Sequence, residues 1–159
     1  MKVCIVGGTG NISTGIVNQL LKQGHNVFCF NRGTNGFVPN GAHSIIGDRN
    51  DQKLFEKKMQ DAAFDCAIDM VCMNADQAAS SIRAFNNVKH FIMCSTVSTY
   101  GINFDSLPIT EDHPLRPTTD YGRNKANADD IFTYAKKSIV GREYAKFIFT
   151  KHLSNIIKF

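Results

Sequence analysis

Residues 2–13 have the sequence KVCIVGGTGNIS, and this segment indicates the architecture of the chain most clearly. Lys2 to Val6 is an apolar, largely β-branched run, which is typical of a buried strand. A glycine-rich turn follows, and apolar residues then recur at helical spacing from Ile12 to Leu21. A strand, a glycine turn and a helix in this order predict an anion-binding unit, because the first N–H groups of a helix have no intrahelical partner.

The residue types of this turn fit a pyrophosphate group. Gly7 can adopt the positive φ of a tight turn, and Gly10 has no side chain to keep a phosphate away from the backbone. Ser13 is small enough to let the helix lie close to the strand. A plain strand-to-helix turn is the alternative, and the strand before it and the amphipathic helix after it favour phosphate binding. The residues predicted to contact the phosphates are Gly7, Thr9, Gly10, Asn11 and Ile12.

Short apolar runs and helical patterns alternate along the rest of the chain. The predicted strands are 2–6, 26–30, 42–46, 64–71 and 88–95, with 146–150 as a candidate sixth strand. The predicted helices are 12–21, 51–60 with Leu54, Phe55 and Met59 inward, 76–85, and 120 to about 136. This alternation predicts an α/β fold, a Rossmann-type doubly wound parallel sheet, with residues 1–135 as a dinucleotide-binding domain.

The end of the second predicted strand bears on the choice of dinucleotide. An NAD-binding domain usually ends this strand in an acid that binds the ribose 2′-hydroxyl. Here the position holds Asn31, followed by Arg32. Asn31 carries no charge to repel a 2′-phosphate, and Arg32 can pair with one through two hydrogen bonds, although it could also be a solvated loop residue. The two residues favour NADP(H) over NAD(H).

The third predicted strand ends in Gly47-Asp48-Arg49. A carboxylate at Asp48 can accept a hydrogen bond from the adenine amino group of a dinucleotide. The same acid could favour the N-terminus of the helix that begins near Asp51, and the two roles are compatible. We expect Asp48 and Arg49 to contact the cofactor.

Tyr121 and Lys125 lie at i and i+4 of the last predicted helix, so they share one face. A nearby cation favours the phenolate, and such a tyrosine can exchange a proton with a substrate hydroxyl or carbonyl. The pair alone occurs by chance on many helices. However, Ser95 and Thr96 end the fifth predicted strand, and doubly wound sheets bind ligands at the carboxyl ends of their strands.

Residues 1 to about 135 resemble the extended short-chain dehydrogenases, specifically the NAD(P)-dependent epimerase/dehydratase family that includes nucleotide-sugar 4-epimerases. The resemblance rests on the glycine turn, Gly47-Asp48, Thr96 four residues before Tyr100-Gly101, Glu111 with the prolines after it, and Tyr121-Gly122-x-x-Lys125. The chain departs from the family pattern at Ser13, which replaces a third glycine, and at Asn31-Arg32.

The resemblance implies roles for four residues at the last helix and the fifth strand. Tyr121 corresponds to the catalytic acid/base, and Lys125 to the residue that holds the nicotinamide ribose. Thr96, with Ser95 as the alternate, corresponds to the residue that orients the substrate. Hydride transfer at a sugar or other carbonyl or hydroxyl carbon is therefore expected. A truncated, non-catalytic dinucleotide-binding module is the alternative.

The chain end does not follow the family pattern recognised above. Residues 136–159 contain six Lys or Arg and one acid, Glu143, and are interpreted as a basic tail without family resemblance. Family members continue into a domain that grips a nucleotide-sugar, so the fold is expected to stop before the substrate domain. The rest of the chain has no aromatic and basic stripe, which disfavours nucleic-acid binding. The resemblance also suggests a homodimer through the helix of Tyr121.

The cysteines and histidines indicate no metal or redox chemistry. The five cysteines include no CxxC pair and lie in or beside apolar runs, so buried reduced thiols are expected. The five histidines are scattered, which disfavours a metal site. No signal sequence or membrane-spanning stretch is recognisable, so a cytoplasmic location is expected.

Overall fold

Buried apolar runs form the strands of one parallel sheet. The computed structural model describes residues 1–34, 36–138 and 143–147. For residues 138 and 144–147 it describes the backbone only. The strands are β1 (Lys2–Val6), β2 (Asn26–Asn31), β3 (His43–Ile46), β4 (Cys66–Asp69), β5 (His90–Cys94) and β6 (Glu143–Phe147). The helices are α1 (Asn11–Lys22), α2 (Gln52–Ala62), α3 (Ala75–Ala84) and α4 (Asp120–Ser138), with a 3-10 turn at Val97–Thr99.

The order of the strands is β3-β2-β1-β4-β5-β6, and every neighbouring pair is parallel. The chain moves outward from β1 through β2 to β3, then returns to the other side of β1 for the remaining strands. Val6 at the end of β1 is paired with Phe30 of β2 and Asp69 of β4. The direction reverses at this point, and doubly wound sheets leave a ligand crevice there.

Helices cover both faces of the sheet. Alternate residues of β1 face opposite sides, as the pleat requires. Val3 and Ile5 pack with Ile16, Val17 and Leu20 of α1 in one buried cluster. The second cluster contains residues of all four inner strands and of α2, α3 and α4, among them Cys4, Val6, Phe30, Phe55, Met59, Ala67, Ala78, Phe91 and Phe132. The predicted doubly wound α/β sheet is confirmed.

The structure corrects several predicted boundaries. β4 occupies Cys66–Asp69 rather than 64–71, because the Asp69 carboxylate accepts a hydrogen bond from the Val71 N–H and turns the chain out of the sheet. The candidate sixth strand begins at Glu143 instead of residue 146 and lies beside β5. Residues 148–150 of that prediction lie outside the described residues. Within the described part of the chain, no helix is both long and apolar enough to cross a membrane.

The prediction that Leu54 points inward is wrong. Leu54 is 44% exposed, whereas Phe55 and Met59 are each 1% exposed. Asp51 caps α2 by accepting a hydrogen bond from the Leu54 N–H, and this start places residues 55 and 59, rather than residue 54, toward the sheet.

All five cysteines are buried free thiols, as predicted. Burial raises the pKa of the Cys66 and Cys72 thiols to about 12, so both remain protonated at neutral pH. They therefore act as small apolar groups in the core. In the part of the chain that the structure describes, no cluster of three or more His, Cys, Asp or Glu residues is arranged to hold a metal ion.

The difference between Leu54 and Phe55 generates a stability prediction. Phe55→Ala should lower the free energy of unfolding by about 3–5 kcal/mol, because it empties a position between the rings of Phe30 and Phe85. Leu54→Ala, on the same helix, should change it by less than about 0.5 kcal/mol. Urea unfolding followed by circular dichroism measures both values. Equal losses for the two variants would contradict the assigned orientation of α2.

Candidate functional site

A cleft of about 430 Å³ lies at the carboxyl ends of β1 to β4, where the strand order reverses. Sequence-predicted residues brought together in its lining are Gly7, Thr9, Gly10, Asn31, Arg32, Asp48 and Arg49. The lining also contains residues that sequence reasoning did not single out, among them Thr34, Asn50, Val71, Met73 and Gln77. Several of these belong to the loop after β4 and the start of α3, whose approach to the glycine turn is a consequence of the topology.

The glycines of the turn differ in what excludes a side chain at each position. Gly7 has φ +83°, and a Cβ there would lie 2.5 Å from a Val71 methyl group. A Cβ at Gly8 would lie 2.6 Å from the Cys29 sulfur, so this residue, missed by the sequence reasoning, packs the turn on β2. A Cβ at Gly10 would have the Ser13 hydroxyl oxygen, 3.4 Å away, as its nearest neighbour, so the space beside Gly10 is open.

The N-terminus of α1 faces this turn without a competing anion. Gly10 is the N-cap and supplies no side-chain hydrogen bond, and the first turn contains no acid. The first helical hydrogen bond is from the Thr14 N–H to the Gly10 carbonyl. The N–H groups of the preceding helical residues, Asn11 and Ile12 among them, therefore have no intrahelical acceptor, which favours an anion. Asn11 and Ile12 themselves lie outside the cleft lining.

Asn31 forms a local turn with its side chain. Its Oδ1 accepts a hydrogen bond of 2.8 Å from the Gly33 N–H, and its Nδ2 donates to the Cys29 carbonyl at 3.3 Å. Arg32 is exposed at the cleft and takes part in none of the ion pairs found among residues 1–34, 36–138 and 143–147. Its guanidinium is thus available to an anionic ligand at this edge.

Asp48 is exposed at the rim of the cleft and accepts a hydrogen bond of 2.8 Å from the Asn50 N–H. The helix N-terminus that Asp48 was expected to favour is capped by Asp51. Gly47, just before it, packs on a ring beneath the cleft, since a Cβ there would lie 2.7 Å from Phe30 Cε2.

Arg49 is 8% exposed, and its guanidinium is used inside the protein. Nη1 lies 2.9 Å from both carboxylate oxygens of Asp69, and Nη2 donates to the Gln77 carbonyl and the Ser81 hydroxyl. The charge of the Arg49 side chain, for which a cofactor contact is predicted, is balanced inside the protein by Asp69. No local sequence pattern links residues 49 and 69, because the contact depends on β4 lying beside β1.

Lys125 and Tyr121 lie one helical turn apart on α4 and differ sharply in exposure. Lys125 is 2% exposed, whereas Tyr121 is 49% exposed. The Lys125 ammonium donates to the carbonyls of Cys72 and Cys94 at 2.7 and 2.5 Å. The buried cation therefore joins the chain after β4 to the end of β5, while Tyr121, one helical turn earlier on α4, is accessible to ligands.

Ser95 and Thr96, which the sequence could not distinguish, have different surroundings. Ser95 is buried, and its hydroxyl donates to the Asp129 carboxylate on α4 at 2.8 Å. Thr96 is half-buried and caps the 3-10 turn, its Oγ1 accepting from the Ser98 N–H at 3.3 Å. The Thr96 hydroxyl is therefore the more accessible of the two.

Gly122 brings the first turn of α4 against the segment after β5. A Cβ at this residue would lie 2.5 Å from the Ser98 carbonyl oxygen and 3.1 Å from Pro117 Cβ. Only a residue without a side chain permits this approach, which sets Tyr121 beside the turn that begins at Thr96. The motif contained this glycine, but its packing role depends on the tertiary contact.

Comparisons with known proteins identify the family of the chain. The model of the NAD dependent epimerase/dehydratase family matches residues 3–156, which extends past residue 135, where the resemblance recognised from the sequence alone ended. The UDP-glucose 4-epimerase of Lactobacillus helveticus is 31% identical over 87% of this chain and 48% of its own length. The 2'-dehydrokanamycin reductase of Streptomyces kanamyceticus is 27% identical over 82% of this chain and 37% of its own length.

A solved structure gives the same result for the fold. UDP-glucose 4-epimerase from Brucella ovis in complex with NAD superposes with a TM-score of 0.81 at 22% identity, covering 92% of this chain and 51% of that one. The chain spans about half the length of this structure and of the Lactobacillus relative. Since the family model covers nearly all of the chain, and the sheet order and glycine turn are those of such a fold, the chain belongs to the NAD dependent epimerase/dehydratase family.

Proposed function

We propose that the chain is the dinucleotide-binding part of an enzyme that transfers a hydride at a sugar or other carbonyl or hydroxyl carbon. The observation that carries this proposal is the arrangement at the ends of β4 and β5. There the buried Lys125 ammonium lies one helical turn from the exposed Tyr121, and Thr96 follows the end of β5. A nucleotide-sugar is the proposed substrate class, supported by the UDP-glucose 4-epimerase relatives.

The cleft residues fit a nicotinamide dinucleotide. The open space beside Gly10 and the uncapped N-terminus of α1 would hold the pyrophosphate. The Asp48 carboxylate would accept a hydrogen bond from the adenine amino group. We favour NADP(H), because Arg32 can meet a 2′-phosphate while the Asn31 amide adds no negative charge. The similar structures solved in complex with NAD support a nicotinamide dinucleotide as the ligand.

The chemistry assigned to the protein is proton transfer and positioning, while the nicotinamide, when bound, supplies the hydride acceptor or donor. Tyr121 would exchange a proton with the substrate oxygen, and the Thr96 hydroxyl would hold that oxygen by a hydrogen bond. An ammonium has three N–H groups, and Lys125 uses two of them for the Cys72 and Cys94 carbonyls. The third would serve a ribose hydroxyl of the cofactor.

A dinucleotide-binding module without turnover is the second candidate. The chain corresponds to 48% of the length of the Lactobacillus relative, and this candidate concerns the chain by itself. Catalysis needs the reacting carbon held against the nicotinamide, and binding of the remote nucleotide contributes to that orientation. Both candidates share the same cofactor cleft and differ only in whether Tyr121 acts on a substrate. A homodimer through α4 is proposed for either case.

The cofactor choice is tested by titrating NADPH and NADH at one salt concentration. The chain should bind NADPH more tightly, and Arg32→Ala should weaken NADPH more than NADH. Asn31→Asp should reverse the preference by roughly 10–100-fold, because one oxygen can still accept from the Gly33 N–H while the other offers a charged acceptor to a 2′-hydroxyl. A preference for NADH in the unaltered chain would contradict this assignment.

The glycine turn is tested by Gly10→Val. Residue 10 has φ −76° and ψ 164°, which valine adopts readily, and no atom lies closer than 3.4 Å to the new Cβ. The fold should therefore survive, while the side chain occupies the space of the pyrophosphate and removes detectable dinucleotide binding. Gly15→Ala, on the same helix with open space around its Cβ, is the matched control and should bind normally.

The two candidate functions are separated by turnover. With NADPH and a panel of nucleotide-sugars and small carbonyls, an enzyme should show turnover that Tyr121→Phe removes, with the cofactor Kd unchanged, because only the proton-transfer group is lost. Lys125→Ala should weaken both turnover and binding. For this chain by itself we expect cofactor binding with little turnover, and a rate on the order of 10 per second would exclude the binding module.

A further inference from the structure

A buried ion pair stands behind one wall of the cleft. Asp69 is 0% exposed at the end of β4, and Arg49 spans its two oxygens from the turn after β3. The Ser81 hydroxyl on α3 donates to Asp69 at 2.6 Å and accepts from Arg49 at 2.9 Å. The pair thus joins the turn after β3, the end of β4 and α3, and its geometry allows little independent movement.

The network continues from this ion pair to the rim of the cleft. Arg49 donates to the Gln77 backbone carbonyl, and the Gln77 side chain donates to Asn50 Oδ1 at 3.0 Å and accepts from the Met73 N–H at 2.8 Å. The Asn50 N–H in turn donates to the Asp48 carboxylate at 2.8 Å. These hydrogen bonds, together with the covalent frames of Gln77 and Asn50, connect the buried Asp69 carboxylate to the exposed Asp48 carboxylate.

We propose that Arg49 is a positioning residue that holds the Asp48 carboxylate in place to read the amino group of adenine, acting through Asp69 and Gln77 rather than touching the cofactor with its guanidinium. The proposal rests on the proposed function, since it takes the cleft to be a dinucleotide site. The hydrogen bonds of the Gln77 side chain support a positioning role for the network, in addition to the compensation of buried charge. Its bonds to Asn50 and Met73 neutralise no buried charge, and they tie together the two loops that form this wall.

The fork of an arginine suits this position better than a lysine would. Arg49 makes contacts of 2.9 Å to Asp69, Gln77 and Ser81 from two separate nitrogens. A lysine could keep the charge beside Asp69, but a single nitrogen cannot span the carboxylate and the α3 acceptors in the same way. Arg49→Lys therefore preserves the buried charge balance and disturbs the geometry, which is the property to be tested.

The experiment compares NADPH with its hypoxanthine analogue, in which a carbonyl replaces the adenine amino group. If Asp48 accepts from that amino group, the unaltered chain should prefer NADPH by about tenfold or more. Asp48→Ala should bring the affinity ratio close to one. Arg49→Lys and Gln77→Ala should reduce the ratio in the same direction, although Asp48 is present in both.

Two features keep the result interpretable. Gln77→Ala changes a half-buried side chain near the start of α3 to a good helix former, so it should fold even if Arg49→Lys does not. Arg83→Lys is the matched control, because Arg83 also joins α3 to a neighbouring element through an acid, Glu56 of α2, and lies outside the cleft lining. The affinity ratio of Arg83→Lys should equal that of the unaltered chain, because a general loss of stability weakens the binding of both dinucleotides by the same factor.

Three outcomes would overturn the inference. The first is that Asp48→Ala abolishes the preference for NADPH over its hypoxanthine analogue, whereas Gln77→Ala and folded Arg49→Lys keep it. This result would show that the network does not position Asp48. Equal binding of both dinucleotides by the unaltered chain would show that Asp48 does not read the adenine, while the proposed function stands. Failure of the unaltered chain to bind either dinucleotide would overturn the proposed function, and this inference with it.

Discussion

The closeness of the turn after β1 to its two neighbouring strands is the constraint on which the site depends. Because the strands are parallel, β1, β2 and β4 all end at one edge, and the turn must pass between the other two. A Cβ at Gly7 or Gly8 would approach Val71 or Cys29 within about 2.6 Å, which no side chain tolerates. The glycines therefore permit the sheet packing as well as the cleft, and burial raises the Cys29 pKa to about 11, keeping that thiol neutral beneath the turn.

Two buried cations hold the loops at this edge. Lys125 donates to the Cys72 carbonyl after β4 and to the Cys94 carbonyl at the end of β5, and Arg49 pairs with the carboxylate of Asp69. Removing charges from water is costly, and buried ions are tolerated when hydrogen bonds of good geometry compensate for the lost hydration. The same contacts that offset this cost restrict the loops, so the cleft wall and the end of β5 are organised before any ligand arrives.

Sequence reasoning predicted the fold because its signals are local and repeated. Apolar runs, turn glycines and helical spacing each report on a few neighbouring residues, and the parallel sheet follows from their alternation. The same reasoning could not foresee that Arg49 meets Asp69 or that Ser95 meets Asp129, since these partners come together only through tertiary packing. The prediction for Leu54 was wrong because the apolar pattern allows either residue 54 or residue 55 to face the sheet. The Asp51 cap sets the start of α2 and so places Phe55 inward.

The candidate site therefore contains two kinds of residue, which differ in how far a substitution disturbs the surrounding structure. Among the described residues, the Asn31 side chain forms its hydrogen bonds with residues 29 and 33, so an acid at this position can keep the turn. Arg49 contacts both β4 and α3, so a change there reaches the two elements together. In the proposed dinucleotide site, cofactor selectivity would thus depend on residues with local support, whereas the wall formed by the turn after β3, the loop after β4 and the start of α3 is shaped by a buried network that spans several elements.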